Sequence, residues 1–265
     1  MKALFSYYGG KQRMLPHIRP LIPEHHLYCE PFAGSAAVFF DKKPVQVNVI
    51  NDLNGEIINF YRIVANRGGE LREKVVETLH CRKQYEHAWY IYNYPDFFDE
   101  VERAWAVFIL AKFGFGGQLS SSFGFERMEG KHARKAKGFV DLFAEELVEL
   151  LRQTTIECDD ALNVIRRYDC PGAWHFIDPP YVGSDMGHYG GMFNEQNLNE
   201  LLALCATLKG KFMLTMYPNE AIEAAATANG WTIHRVTRTI TASRTKRRKQ
   251  EEWMVCSTDR KTGNV

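Results

Sequence analysis

The sequence lacks paired cysteines and long apolar runs, and each absence excludes a class of protein. Its six cysteines are far apart and include no CxxC pair, so neither a zinc knuckle nor a disulfide framework is indicated. We expect buried, reduced thiols instead. No stretch approaches the roughly 20 apolar residues of a membrane span, and the first residues do not lead into a signal-peptide run. We therefore expect a soluble, cytoplasmic protein with no membrane partner.

An excess of one charge is also missing, because the formal net charge of the 265 residues is only +1. The basic residues are nevertheless clustered. Seven Lys or Arg residues and no acidic residue lie between Arg235 and Lys249, and a second basic run covers Lys131 to Lys137. Two such runs together are typical of contacts to one phosphate backbone, although each alone is equally compatible with a solvated loop.

Short apolar or β-branched runs alternate with helical patterns in both end regions of the chain. The runs predict seven strands, over residues 26–30, 45–50, 156–158, 173–177, 211–216, 231–237 and 252–256. Helical patterns at 35–41 and 55–66 separate the first strands, which favours parallel strands that collect ligands at their carboxyl ends. A basic stretch with no helical pattern joins the last two strands, which favours an antiparallel hairpin at the sheet edge.

From about Arg67 to Arg152 the strand pattern is replaced by amphipathic helices, one of which places Val101, Trp105 and Phe108 on one face. We therefore predict an α/β fold in two parts. Residues 1–66 and 153–265 form a mostly parallel sheet domain, and residues 67–152 form an inserted helical lobe.

A loop of small residues follows the first predicted strand, with the sequence Glu30-Pro31-Phe32-Ala33-Gly34-Ser35-Ala36. Small residues before a helix let a ligand approach the backbone, although a tight turn without a ligand needs the same residues. Asp52 follows Gly34 by 18 residues, just past the second strand. A carboxylate there can accept hydrogen bonds from both hydroxyls of a ribose, but residues 51–55 could equally form a helix N-cap.

The strongest motif is Asp178-Pro179-Pro180-Tyr181, directly after a buried strand. Prolines fix φ and lack amide hydrogens, so they hold the neighbouring carbonyls in a rigid loop. The Asp178 carboxylate and the Pro179 carbonyl can accept the two hydrogens of an exocyclic amine, whose lone pair can then attack a methyl sulfonium. Tyr181 can stack on an extruded base. The alternative is an ordinary turn in which Asp178 is a cap.

These motifs resemble the DNA adenine methylases of the Dam type, which are N6-adenine-specific enzymes of bacteria and phages. Phe5-Ser6-Tyr7-Tyr8-Gly9-Gly10-Lys11 resembles the FxWxGGK segment that in this family lies against the methionine part of the cofactor. The resemblance covers nearly the whole chain. It implies a Rossmann-like methyltransferase sheet, S-adenosyl-L-methionine as the cofactor, S-adenosyl-L-homocysteine as its product, and no metal.

The resemblance also implies roles for single residues. Tyr7 and Lys11 contact the cofactor, Asp52 holds its ribose, Asp159 lies near its adenine, and Asp178 lies between the cofactor and the target amine. The full set of cofactor-binding candidates is Tyr7, Gly10, Lys11, Glu30, Phe32, Gly34, Asp52, Asp159 and Asp178. The catalytic candidates are Asp178, Pro179 and Tyr181.

Two positions depart from the family pattern. Tyr7 replaces a tryptophan, and Ala36 replaces a glycine that is frequent in the cofactor loop. Because alanine is small and tyrosine keeps a flat apolar face, we expect altered cofactor affinity and not lost binding.

In the resemblance, the helical lobe carries target recognition. Its Gly- and Phe-rich segment 113–127 is predicted to face DNA, with an aromatic side chain filling the space of a flipped nucleotide. Phe113, Phe115 and Phe123 could equally belong to the lobe core. Gln118 and Arg127 can read base edges, and basic residues can hold phosphates. The DNA-binding candidates are Gln118, Arg127, Arg134, Lys135, Arg244, Lys246, Arg247 and Arg248.

The sequence thus predicts transfer of a methyl group to adenine N6 in double-stranded DNA, by base flipping and direct in-line transfer. The alternatives are an N4-cytosine enzyme, an RNA or protein amide methyltransferase, and a catalytically inactive DNA-binding homologue. The first two are disfavoured because Ser or Asn would be more usual at position 178. We expect a monomer or a weak dimer, and a cognate restriction endonuclease is a further candidate partner.

Overall fold

The computed structural model describes residues 3–5, 7, 9–115, 119, 121–125, 144–182, 193–240 and 248–257. Within them the strands are β1 (Leu27–Glu30), β2 (Val47–Asn51), β3 (Thr155–Glu157), β4 (Ala173–Ile177), β5 (Lys211–Met216), β6 (Thr232–Ile240) and β7 (Arg248–Cys256). They form one seven-stranded sheet in the order β3-β2-β1-β4-β5-β7-β6.

The strand pairing confirms the predicted sheet. β1 with β4, β4 with β5, and β2 with β3 are parallel. β7 is antiparallel to both β5 and β6, so the last two strands form the predicted edge hairpin. All five residues of β4 are buried, as expected for a strand with a parallel neighbour on each side. The carboxyl end of β4 leads directly into Asp178.

Nine α-helices lie within the described ranges. They are α1 (Leu15–Ile18), α2 (Ala37–Asp41), α3 (Gly55–Glu77), α4 (Arg82–Asn93), α5 (Glu100–Phe113), α6 (Glu145–Arg152), α7 (Ala161–Tyr168), α8 (Glu195–Cys205) and α9 (Glu220–Asn229). Short 3₁₀ helices occupy Lys11–Arg13, Arg19–Leu21 and Pro95–Phe97. Side-chain caps start several α-helices: Asn54 begins α3, and Asp99 accepts from two amides at the start of α5.

Helix α3 is longer than the predicted segment 55–66. It continues to Glu77 through a residue with non-helical dihedrals, Arg67, where φ is −131° and ψ is 31°. This kink coincides with the position at which the sequence predicted the helical lobe to begin.

The chain divides into two compact units. Unit 1 comprises Met1–Leu15, Ala33–Pro44 and Asn48–Asp159, and unit 2 comprises Pro16–Phe32, Val45–Val47 and Asp160–Val265. Unit 1 has an aromatic core in which the rings of Phe60 and Phe108 stack across α3 and α5. The core of unit 2 is mainly aliphatic and includes Ile177, Leu198 and Leu214. The predicted division at residues 66 and 152 stays a prediction.

No helix in the described ranges is long and apolar enough to cross a membrane. All six cysteines fall within these ranges and are free thiols. Cys29 and Cys205 are buried as expected, but Cys158 is exposed, so the expectation of a buried thiol was wrong for Cys158.

Candidate active site

In unit 1, the Asp52 side chain forms hydrogen bonds that connect the small-residue loop to the end of β2. Its Oδ2 accepts a hydrogen bond from the Gly34 amide at 2.8 Å, and its Oδ1 accepts one from the Asn54 amide at 2.9 Å. Asn54, and not Asp52, is the N-cap of α3. Burial raises the pKa of Asp52, and the two amide donors partly oppose that rise. The carboxylate is therefore held on a fixed frame, as a ribose acceptor must be.

The N-terminal segment packs on the same loop. A Cβ atom at Gly34 would lie 2.9 Å from the Tyr7 ring, and the backbone of Gly34 has φ of +46°, so only glycine suits this position. The Gly34 carbonyl accepts a hydrogen bond from the buried Tyr61 hydroxyl at 2.7 Å. Lys11 is almost completely buried, and its Nζ donates to the Gly9 carbonyl at 2.8 Å. The structure thus brings Tyr7, Lys11, Gly34 and Asp52 together in one unit.

Ala36 occupies the left-handed region of backbone space, with φ of 49° and ψ of 42°. It is the only residue other than glycine with positive φ in the described part of the chain. The position is therefore one that favours glycine, which agrees with the glycine frequent in the resembled family.

Asp159 is fixed by Asn51, a residue that the sequence analysis did not single out. The Asn51 side chain donates from Nδ2 to the Asp159 carbonyl at 3.0 Å and accepts at Oδ1 from the Asp159 amide at 2.9 Å. Asn51 is fully buried. It ends β2, where it pairs with Glu157, so its side chain extends the β2–β3 pairing beyond β3. The signal that was missed is the position of Asn51 at the end of a strand, directly before the acidic residue Asp52.

The donor set of this cluster fits S-adenosylmethionine. A buried cation at Lys11 suits the carboxylate of the methionine part, and the fixed Asp52 carboxylate suits two ribose hydroxyls. The half-buried Asp159 suits an amino group. In the described ranges no group of three or more His, Cys, Asp or Glu side chains could hold a metal ion.

In unit 2, Asp178 immediately follows β4. Its Oδ1 accepts a hydrogen bond of 2.6 Å from the hydroxyl of Thr215, which is fully buried on β5. All peptide bonds in the described chain are trans, including those of Pro179 and Pro180. No helix begins within residues 178–182, so Asp178 caps no helix there, and the alternative of an ordinary turn with an Asp cap stays open.

Tyr181 is held through its hydroxyl and through its ring. Its hydroxyl donates to Glu252 Oε1 at 2.7 Å, and its ring packs edge-to-face on Tyr217, with centroids 4.5 Å apart and planes at 80°. Glu252 lies on β7 and is 1% exposed. Sequence reasoning did not identify Glu252, which lies 71 residues from Tyr181.

Two further cofactor candidates, Glu30 and Phe32, lie at the end of β1. Glu30 is buried, and its Oε2 accepts a hydrogen bond of 2.6 Å from the Tyr28 hydroxyl. Burial, followed by the nearby Glu30 charge, raises the pKa of Tyr28 well above its ordinary value. Phe32 is half-buried and contacts Phe193 edge-to-face.

The described part of the predicted DNA-facing segment separates two kinds of phenylalanine. Phe113 is buried and Phe123 is half-buried against His80 and Tyr85, so both belong to the lobe core. Phe115 is 66% exposed, as is Phe125 at 60%. The Arg82 guanidinium lies 5.8 Å from the Phe125 ring centroid.

Of the predicted DNA contacts, Arg248 lies within the described residues. Arg248 begins β7, paired with Ile240. The other candidates lie outside the described residues: Gln118, Arg127, Arg134, Lys135, Arg244, Lys246 and Arg247.

Comparison with known proteins gives relatives among DNA methyltransferases. The Type II methyltransferase M1.LlaDCHI of Lactococcus lactis subsp. cremoris is 30% identical over 194 residues, which cover 69% of this chain and 66% of that protein. The Type II methyltransferase M.CviBI of Paramecium bursaria Chlorella virus NC1A is 26% identical over 222 residues, 82% of this chain and 83% of the relative. The DNA N-6-adenine-methyltransferase of Escherichia phage P1 is 27% identical over 183 residues, 68% of this chain and 24% of the phage protein.

The chain thus spans just under two thirds of the Lactococcus protein and about a quarter of the phage protein. A family model matches residues 7–241, a range that includes Tyr7 to Lys11 of the N-terminal segment, the small-residue loop, the helical lobe and the turn at Asp178. By that match the chain belongs to the D12 class N6 adenine-specific DNA methyltransferase family.

Proposed function

We propose that the protein transfers a methyl group from S-adenosylmethionine to N6 of adenine in double-stranded DNA. The observation that carries this proposal is the Asp178–Tyr181 turn in a chain of the N6-adenine family. Thr215 fixes the carboxylate of that turn and Glu252 fixes its tyrosine, so two groups suited to bind a nucleobase are pre-oriented.

Residues of unit 1 are proposed to hold the cofactor. Lys11 pairs with its carboxylate, Asp52 accepts from its ribose hydroxyls, and Asp159 accepts from its adenine amine. When bound, S-adenosylmethionine supplies a methyl group on an electrophilic sulfonium. Each carboxylate oxygen of Asp52 accepts one hydrogen bond from a backbone amide and keeps a second lone pair for a ribose hydroxyl.

Residues of the turn are proposed to activate the amine. Asp178 and the Pro179 carbonyl accept the two N6 hydrogens, which draws the nitrogen lone pair out of conjugation with the ring. Tyr181 stacks on the extruded adenine. Methyl transfer to N6 would break the carbon–sulfur bond of the sulfonium and leave S-adenosyl-L-homocysteine. The Asp178 carboxylate would stabilise the positive charge on the methylated nitrogen until one N6 proton is released to solvent.

DNA is the proposed partner of the exposed phenylalanines. Phe115 and Phe125 present large apolar faces to solvent on a segment next to the basic run 131–137, and Arg82 adds a cation beside Phe125. Such apolar side chains enter gaps between base steps, whereas a buried Phe113 has no such use. A cognate restriction endonuclease, and a monomeric or weakly dimeric state, stay predictions.

The proposal is tested with Asp178→Ala and tritiated S-adenosylmethionine on DNA from a methylation-deficient strain. We expect methyl transfer to fall by orders of magnitude while calorimetry still measures binding of the cofactor. Asp160→Asn is the matched control, since Asp160 is an exposed cap and Asn caps equally well. Near wild-type transfer by the Asp178 variant would remove that residue from its assigned role.

The alternative functions are distinguished by the identity of the methylated product. Digestion of the methylated DNA to nucleosides and mass spectrometry distinguishes N6-methyladenine from N4-methylcytosine, and labelled RNA under the same conditions tests that substrate. If the wild-type protein does not bind the cofactor and does not transfer a methyl group, it is the inactive homologue.

A further inference from the structure

Glu252 is a carboxylate that the proposed chemistry does not use directly, although it is removed from water. It lies on β7 at 1% exposure and pairs across the hairpin with Val236. Its neighbour Glu251 is half-exposed to solvent, and its Oε1 accepts from the Trp253 indole at 2.6 Å. Successive strand residues point to opposite faces, so the two glutamates have different surroundings on one strand.

Removal of a carboxylate from water is unfavourable unless hydrogen bonds and charges compensate for the lost hydration. An apolar residue would be the stable choice at such a position. The hydroxyl that Glu252 accepts from belongs to Tyr181, the last residue of the catalytic turn. A bond to an ionised acceptor is about twice as strong as one between neutral groups.

Two contacts restrict where the Tyr181 ring can lie. The bond to Glu252 fixes the hydroxyl, and the ring forms an edge-to-face pair with the ring of Tyr217, which follows β5. β5 and β7 are paired neighbours, with Met216 opposite Trp253. Glu252 therefore lies in the sheet itself, and Tyr217 directly follows the strand that pairs with it.

We propose that Glu252 is a positioning residue for Tyr181, one that holds the tyrosine ring in the orientation needed to stack on the target adenine. This inference rests on the proposed methylation of adenine in DNA. A ring that has lost its anchor still occupies the site but samples other orientations, so the bound base reaches the productive geometry less often. Loss of the anchor should therefore lower kcat for methyl transfer and leave the affinity for the cofactor unchanged.

The experiment is a double-mutant cycle of Glu252→Met and Tyr181→Phe, each assayed for kcat, for KM on DNA and for S-adenosylmethionine affinity. Methionine keeps the length of the side chain and removes the acceptor. We expect each single change to lower kcat about tenfold, as for one lost charge-assisted bond, with cofactor affinity unchanged. The double variant should be no slower than either single variant, because both changes remove the same bond.

Two further variants distinguish positioning from a merely structural role. Glu252→Gln keeps an amide oxygen as acceptor and should restore most of the lost rate. Glu251→Gln, on the same strand, should leave kcat and KM at wild-type values. Additive losses in the double variant, or no rescue by glutamine, would overturn the inference.

Should Glu252→Met fail to fold, Tyr181→Phe decides the question, since a wild-type kcat in that variant shows that the bond positions nothing. Failure of the proposed function looks different. In that case the wild-type protein itself transfers no methyl group to adenine in DNA, whichever residue occupies position 252.

Discussion

Three carboxylates, Glu30 of unit 2, Asp52 of unit 1 and Glu252 of unit 2, are almost completely withdrawn from water. Each accepts at least one hydrogen bond, from Tyr28, from two backbone amides and from Tyr181 respectively. Burial makes an anion costly, and these bonds only reduce the cost. Their placement is understandable if they orient a ligand or a ligand-binding side chain, since apolar residues would give a more stable protein.

The Thr215 hydroxyl is expected to act on the reaction through Asp178. Thr215→Val keeps the shape of the side chain but removes the donor to Asp178 Oδ1. We expect kcat for methyl transfer to fall about 10-fold to 100-fold, the value of one bond to a charged group. Cofactor affinity should not change. Thr215→Ser restores the hydroxyl and should recover most of the rate, and a valine variant of undiminished kcat would contradict the role.

The Cys158 thiol offers a reporter of cofactor binding, because it is exposed and precedes Asp159. Burial raises the pKa of Cys205 to about 12 and that of Cys256 to about 11, so both should resist alkylation at pH 8. The pKa of Cys158 is raised too, by its partial burial and then by the charges of Asp52 and Asp159. Its alkylation should therefore accelerate as the pH is raised towards 9 and above.

Saturating S-adenosylmethionine should slow the labelling of Cys158 by iodoacetamide, because an adenine beside Asp159 covers the thiol. Peptide mapping by mass spectrometry measures the rate at each cysteine. Equal rates at Cys158 with and without the cofactor would place the cofactor adenine elsewhere.

At the scale of elements, the turn between β1 and α2 contains a strained residue. A left-handed conformation costs an L-residue about 1–2 kcal/mol, and Ala36 adopts it with its methyl group fully buried. Ala36→Gly relieves that strain. It also loses about 0.8 kcal/mol of methyl burial and increases the backbone entropy of the unfolded chain. We therefore expect the free energy of unfolding of the glycine variant to lie within about 1 kcal/mol of the wild-type value.

Ala36→Val should behave differently, since a β-branched side chain resists this conformation and position 36 is fully buried. We expect a loss of about 2 kcal/mol or more in the free energy of unfolding, together with weaker cofactor binding. Denaturant titration followed by tryptophan fluorescence measures both variants. A valine variant as stable as the glycine variant would show that the turn is not strained.

The sequence predicted elements well where a local pattern was sufficient. All seven strands were found near their observed positions, because each contains a short apolar or β-branched run. Local reasoning left the role of Asp52 open between a helix cap and a ribose acceptor. The cap is in fact Asn54, with Asp52 bonded to Gly34.

The contacts that complete the site could not be predicted because they join distant parts of the chain. Asn51 reaches Asp159 over 108 residues, and Thr215 reaches Asp178 over 37. No periodicity in the sequence marks such partners. They follow from strand order, since neighbours in a sheet need not be neighbours in the chain.

For the molecule as a whole, acid stability is expected to depend on Asp169, which lies just before β4. Its carboxylate accepts from the amides of Lys209 and Gly210, and its Oδ1 lies 3.7 Å from His175 Nε2. Burial alone would raise the pKa of Asp169, but the His175 ring and the two amides outweigh it and hold the pKa at about 2. A carboxyl group with a lowered pKa stabilises the folded state at pH values above its ordinary pKa.

The stabilisation by Asp169 should therefore be complete above about pH 4 and be lost as the pH falls through about 2. After allowance for screening by water, we expect Asp169→Asn to lower the free energy of unfolding at pH 7 by about 1–2 kcal/mol. Urea titrations between pH 7 and pH 2.5, with Asp160→Asn as the control, measure the difference. The gap between wild type and Asp169→Asn should narrow at the acid end, because protonation removes from the wild type what the substitution has already removed. A gap of constant size over this range would mean that Asp169 contributes by packing and not by its charge.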